Sequence, residues 1–205
     1  MYDKIVISPH VDDDVLGCGG ILDENTLVLY CGIDDFHVVS RDERIKEATA
    51  ASEILGHSYI ILHGNKVNGY LATDLIDDFS NFINKHKPKQ IFIQYPSYNQ
   101  DHRAVYEAAL IALRPHDINF FVKEVLVYEQ PHVFFWDHTH TIGSGFKPNY
   151  FIPIDVKKKK EAYKAMASQN RAFRSVEHID ALATLRGGQS GSKYAEAFQA
   201  IRVVK

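Results

Sequence analysis

Two short segments carry the side chains with chemical reach. One is Pro9-His10-Val11-Asp12-Asp13-Asp14 and the other is Asn99-Gln100-Asp101-His102. His10, Asp13 and His102 together offer two imidazoles and one carboxylate. Three such ligands leave a coordination position open, as catalytic zinc sites do. The same donors suit non-haem Fe(II), so ligand type alone leaves the metal open. Asp12 and Asp13 are adjacent, so their side chains diverge, and one can hold a cation while the other faces water. Zinc lowers the pKa of its water to ~7, and a carboxylate within hydrogen-bond reach can take the proton. A purely structural reading competes with this one. Three aspartates ahead of a helix favour its dipole, Asp101 can cap a helix, and a histidine at a helix start is commonly solvated.

The elements that must position these segments alternate between strand and helix. The apolar run KIVIS at 4–8 ends at Pro9 and reads as a buried first strand. Residues 15–22 read as a helix. TLVLY at 26–30 is a second strand. Ser40 with Glu43 is a capping box opening a helix that Gly56 stops. Strands follow at 59–62, 90–95 and 124–128. Between them lie a helix capped by Asp74, with Ile76, Phe79, Phe82 and Ile83 inward, and a helix over 101–113. Residues 131–149 read as a long aromatic-rich loop, 157–173 as a helix, 187–192 as a turn, and 200–204 as an edge strand. This alternation predicts a single α/β domain over 1–205, Rossmann-like, with a mostly parallel sheet and helices on both faces. Ligands in such sheets bind beyond the carboxyl ends of the strands, and both His/Asp segments fall at such ends.

Composition narrows the function classes. The 205 residues are 45 % hydrophobic and 24 % charged, which is globular and excludes a disordered chain. Lys plus Arg is 23 against 26 Asp plus Glu, a net −3 that argues against a nucleic-acid partner. No apolar run reaches the ~20 residues that span a bilayer. The N-terminus lacks a signal-peptide layout. Two cysteines, Cys18 and Cys31, are too few for a disulfide framework. A cytoplasmic location is the expectation.

SPHVDDDVLGCGG resembles the opening motif of the LmbE-like (PIG-L-type) N-acetylglucosaminyl deacetylases. Asn99-Gln100-Asp101-His102 resembles that family's His-x-Asp-His signature. Arg44 with Glu47, the stretch from Lys160 to Gln169, and Tyr194-Ala195-Glu196-Ala197-Phe198 resemble its later motifs, in order. The resemblance implies His10, Asp13 and His102 as metal ligands, Asp12 as general base, and Arg44 as a contact to substrate hydroxyls or a phosphate. It implies Zn2+, with Fe2+ or another divalent metal as the alternative, and a small N-acetylated amino sugar or conjugate as substrate. Two departures stand out. Val11 replaces a proline. Asn99 replaces the histidine that assists the transition state; an amide can still donate to an oxyanion but cannot act as an acid. Two other readings remain open. The same site can cut an ester or a non-sugar amide, or the protein can bind a sugar without turnover.

Other residues are weaker candidates. An Arg44 salt bridge within its own helix competes with substrate contact. His138 and His140 form a possible ligand pair, with solvation in a loop as the simpler reading. Phe134, Phe135 and Trp136 can stack on a sugar or pack locally. Cys18 lacks a paired base in the local sequence, and Gly17-Cys18-Gly19-Gly20 is not a dinucleotide fingerprint.

Overall fold

The computed structural model describes residues 2–33, 39–62, 67–116, 118–131, 145–172 and 174–205. Its strands are β1 (Lys4–Ser8), β2 (Thr26–Tyr30), β3 (Ser58–Ile61), β4 (Gln90–Gln94), β5 (Glu124–Tyr128), β6 (Tyr150–Pro153) and β7 (Ala195–Val203). Its helices are α1 (Asp13–Cys18), α2 (Arg41–Leu55), α3 (Ala72–His86), α4 (Gln100–Ala112), α5 (Val156–Ala165) and α6 (Val176–Ser190), with a 3-10 turn at Ala167–Gln169. The strands form one sheet in the order β3-β2-β1-β4-β5-β7-β6. The first five run parallel. β7 is antiparallel to β5, and β6 is antiparallel to β7.

The run KIVIS becomes a central strand because both its faces are covered, as parallel sheets require. Val6 joins one apolar cluster with Val28, Phe92 and Leu126 under Val15, Ala48, Ala162 and Ile179, which belong to α1, α2, α5 and α6. Ile5 and Ile7 join a second cluster on the other face, under Leu75 and Phe79 of α3 and Val105 and Ala109 of α4. The α/β reading from strand–helix alternation therefore holds. β1 is flanked by β2 on one side and β4 on the other, so the winding reverses between β1 and β4. A crevice opens at such a switch point, and both His/Asp segments emerge into it.

The last third departs from expectation. The predicted helix over 157–173 ends at Ala165 and gives way to the 3-10 turn. Residues 187–192, read as a turn, are largely the end of α6. A Cβ on Gly187 would sit 2.5 Å from the Lys193 carbonyl oxygen, so that glycine serves a close backbone approach within a helix. Gly191 then ends the helix at φ 72°. The predicted edge strand starts earlier, at Ala195, and lies inside the sheet. The edge is β6, hidden in sequence by its shortness and by Pro153, which an edge strand tolerates. α1 is shorter than the 15–22 reading and starts earlier, at Asp13. α3 begins before Asp74, at Ala72, with Leu71 at its N-cap position.

Gly17 in α1 is held against the sheet. A Cβ there would meet the Tyr128 ring at 2.2 and 2.8 Å and the Glu129 carbonyl oxygen at 3.0 Å. Tyr128 is fully buried and its hydroxyl donates to the Ile7 carbonyl at 3.0 Å, so the ring has little room to yield. Gly17→Ala is expected to cost about 1–3 kcal/mol, as overpacking does. Urea unfolding should show the loss as a lower midpoint at unchanged slope. None of the described helices is long and apolar enough to cross a membrane.

Candidate metal centre and its cleft

The backbone after β1 turns sharply into α1, and Asp12 takes a φ of 153° there. A residue with a Cβ rarely adopts such a backbone, at a cost of about 1–3 kcal/mol. The turn sends the three consecutive aspartates in three directions. The Asp12 Oδ2 accepts from Arg174 Nη1 at 3.0 Å. The Asp13 Oδ2 lies 3.1 Å from His10 Nδ1 and 3.4 Å from His102 Nε2. The Asp14 Oδ2 accepts from the buried Tyr30 hydroxyl at 3.0 Å, on the core side. Three distinct partners exceed what a helix dipole asks of acidic residues.

His10, Asp13 and His102 form a group whose ligand atoms all lie within 4.8 Å of one another. The outer nitrogen of each imidazole already has a partner. His10 Nε2 lies 3.0 Å from Asp101 Oδ2, and His102 Nδ1 lies 2.8 Å from Ser97 Oγ. Such partners fix the tautomer and ring orientation of metal-binding histidines. His10 Nδ1 and His102 Nε2 are thereby left converging on one carboxylate oxygen. Asp13 Oδ1 is steadied by Gln130 Nε2 at 2.5 Å. Two imidazoles, one carboxylate and filled outer positions fit a divalent cation.

Electrostatics follow from burial and these contacts. Burial disfavours charge on His10, but the bonds to Asp101 and Asp13 outweigh it and raise its pKa to about 10. Burial also opposes the Asp13 charge, yet the His102 and His10 imidazoles hold that carboxyl well below its usual value. Asp12 goes the other way. Burial raises its pKa, and the Arg174 guanidinium only partly offsets it. A carboxyl raised by burial is the kind that can accept and return a proton.

The group opens on a cleft of about 360 Å³ lined by His10, Asp13, Tyr98, Asn99, His102, Arg171 and Arg174. Asn99 caps α4, its Oδ1 accepting from the Asp101 amide at 2.8 Å. With Oδ1 so engaged, Nδ2 is the donor left to the cleft wall. Asp101 is therefore not the cap. It is buried, accepts from the Asn68 and Tyr70 amides, and orients His10. Its position within the second motif was the signal, and its cap propensity masked it. Asp101→Asn is expected to weaken metal binding about 10–100-fold, as loss of such outer partners does. Competition with a chromophoric chelator measures this.

Arg44 is not brought to the cleft. It is 1 % exposed and donates to the Val11 carbonyl, to Glu47 Oε2 at 3.0 Å and to Ser168 Oγ at 3.4 Å. Glu47 in turn accepts from the Ser168 amide and hydroxyl, each at 2.6 Å. This buried pair ties the 3-10 turn to the bend that carries Asp12. Arg174, which the sequence reading did not single out, lies 162 positions from Asp12 in a stretch without periodicity, and only the fold brings the two together. Cys18 is buried and burial pushes its thiol well up, which suits packing and not nucleophilic attack. Phe134, Phe135, Trp136, His138 and His140 lie outside the described residues.

The sequence matches no protein-family model and no curated protein. Solved structures share its fold. A conserved protein of Thermus thermophilus aligns over 100 % of this chain and 97 % of its own, at 24 % identity and TM-score 0.82. GalB, the 4-carboxy-2-hydroxymuconate hydratase of Pseudomonas putida, aligns over 100 % and 99 %, at 19 % identity and TM-score 0.78. The N,N'-diacetylchitobiose deacetylase of Pyrococcus horikoshii aligns over 98 % and 84 %, at 20 % identity and TM-score 0.76.

Proposed function

We propose that this chain is a single-domain LmbE-like deacetylase. It uses a divalent cation, zinc first among them, to hydrolyse the acyl amide of an N-acetylated amino sugar or its conjugate. The observation that carries this is the convergence of His10 Nδ1 and His102 Nε2 on Asp13 at an open cleft, with the neighbouring Asp12 buried behind it and bonded to Arg174 of the cleft lining. The deacetylase among the similar structures supports the reading. The hydratase among them shows that this fold hosts more than one chemistry, so the side chains of the site decide which one.

His10, Asp13 and His102 would hold a divalent cation, which would supply a Lewis acid for the acyl oxygen and acidify a water molecule. Asp12 would take a proton from the attacking water as the water oxygen bonds to the acyl carbon. Asn99 Nδ2 donates to the oxyanion that develops. Asp12 then returns the proton to the amide nitrogen as the carbon–nitrogen bond breaks. A free amine and a carboxylic acid leave, and the acid gives its proton to the solvent. Because Asn99 cannot supply a proton, Asp12 serves as base and then as acid. Arg44 acts at one remove, holding the Val11 carbonyl beside Asp12.

The substrate is a small molecule, with neither a nucleic acid nor a membrane span involved. The cytoplasm is the proposed compartment, consistent with a chain that carries only two cysteines, Cys18 and Cys31, both buried. The test incubates zinc-loaded protein with N-acetylated amino sugars, simple N-acetyl amides and acetyl esters, and measures acetate and free amine. Equimolar acetate and amine from the sugars is the expected result. Acetate from esters alone would reassign the site to an esterase, and release from non-sugar amides alone to another amidase. Sugar binding without acetate release from any substrate would leave a binding protein.

A further inference from the structure

We infer that the cleft takes an anionic substrate, an N-acylated amino sugar conjugate whose phosphate or carboxylate is received by Arg171 on the rim beside Arg174. The sugar part rests on the proposed deacetylase reading, whereas the anion site rests on the rim itself. Arg171 and Arg174 line the cleft with Tyr98 and Asn99. They are bridged to each other through the backbone, the Arg174 amide donating to the Arg171 carbonyl at 2.9 Å. The Tyr163 hydroxyl clamps this turn from inside, 2.7 Å from the Gln169 carbonyl and 2.8 Å from that of Arg174. The two guanidinium groups are used differently. Arg174 is committed to Asp12 and Gln169. Arg171 has one long bond, from Nε to the Ser168 carbonyl at 3.4 Å, and among the described residues no acidic partner within hydrogen-bond reach. Its fork of donors therefore stands over the cleft on an anchored backbone. A guanidinium fork matches phosphate and carboxylate oxygens bidentately and gains little from a neutral hydroxyl.

Calorimetry on the metal-free protein tests the anion site apart from catalysis. The ligands are inorganic phosphate, N-acetylglucosamine, its 6-phosphate, and the same sugar oxidised to a 6-carboxylate. Each anionic sugar is expected to bind at least about tenfold tighter than the neutral one. Arg171→Gln should bring that ratio close to one and abolish phosphate binding, and Arg171→Lys should restore part of it. The tighter of the two anionic arms identifies the oxyanion. Equal binding of neutral and anionic sugars, or an advantage that survives Arg171→Gln, overturns the inference. Acetate release from zinc-loaded protein separates the two claims. Arg171-dependent anion binding without release defeats the deacetylase reading alone, and equal binding and release from neutral and anionic sugars defeats the anion site alone.

Discussion

Asp12→Asn is expected to lower kcat by about 10²–10⁴-fold, the range over which a positioned acid–base group acts. The substitution keeps an oxygen to accept from Arg174 Nη1, now 3.0 Å from Asp12 Oδ2, and it preserves the shape of the bend. The three proposed ligands are untouched, so metal content should stay at the wild-type level. The two readouts together are specific. A fall in both would mean that Asp12 holds the site together, and unchanged kcat would remove it from the mechanism. KM should change little, because the proton moves in the transition state and a group acting only there leaves ground-state binding alone.

His102→Ala is expected to weaken cation binding by roughly 100-fold or more. The figure follows from sharing the roughly 10–16 kcal/mol of a four-ligand zinc site, about 3 kcal/mol per ligand. His102 is 3 % exposed at its side chain and bonded to Ser97, so the variant also leaves a small buried gap and an unpaired hydroxyl. His102→Gln fills the gap and separates the two effects. Zinc titration should show weak binding in both variants, whereas thermal unfolding of the metal-free forms should show a loss mainly in His102→Ala. Activity should track zinc occupancy in the wild type and return when zinc is restored after chelation.

Much of the sheet was readable because its strands are buried on both faces and so carry unbroken apolar runs, as in KIVIS, TLVLY and EVLVY. The neighbours of β1 could be anticipated only as a rule, yet that rule placed His10 and His102 together. The proposed ligand set was legible because each member sits in the segment that follows a strand end, His10 and Asp13 after β1 and His102 after β4. Capping remained open for Asp101 because helix capping and histidine orientation draw on the same residue type at the same place; Asn99 takes the cap. Arg44 was expected near substrate and is buried, since its chain position fixes a helix turn but not the direction of a long side chain. Arg174 and Arg171 had no local signal at all. They reach the cleft after α5, Arg171 within the stretch 157–173 that reads as one helix and Arg174 just beyond it. α6 carries two glycines near its end, and β6 is four residues ending in proline, so neither shows the usual pattern of its element.

The proposed chemistry requires one cation held by His10, Asp13 and His102 with room left for water. X-ray absorption on the zinc-loaded protein measures this directly. Two imidazole nitrogens at about 2.0–2.1 Å with one or two oxygens, the shell collapsing in His102→Ala, is the predicted result. Sulfur in the shell, an all-oxygen aqueous shell, or a spectrum indifferent to His102 would contradict it.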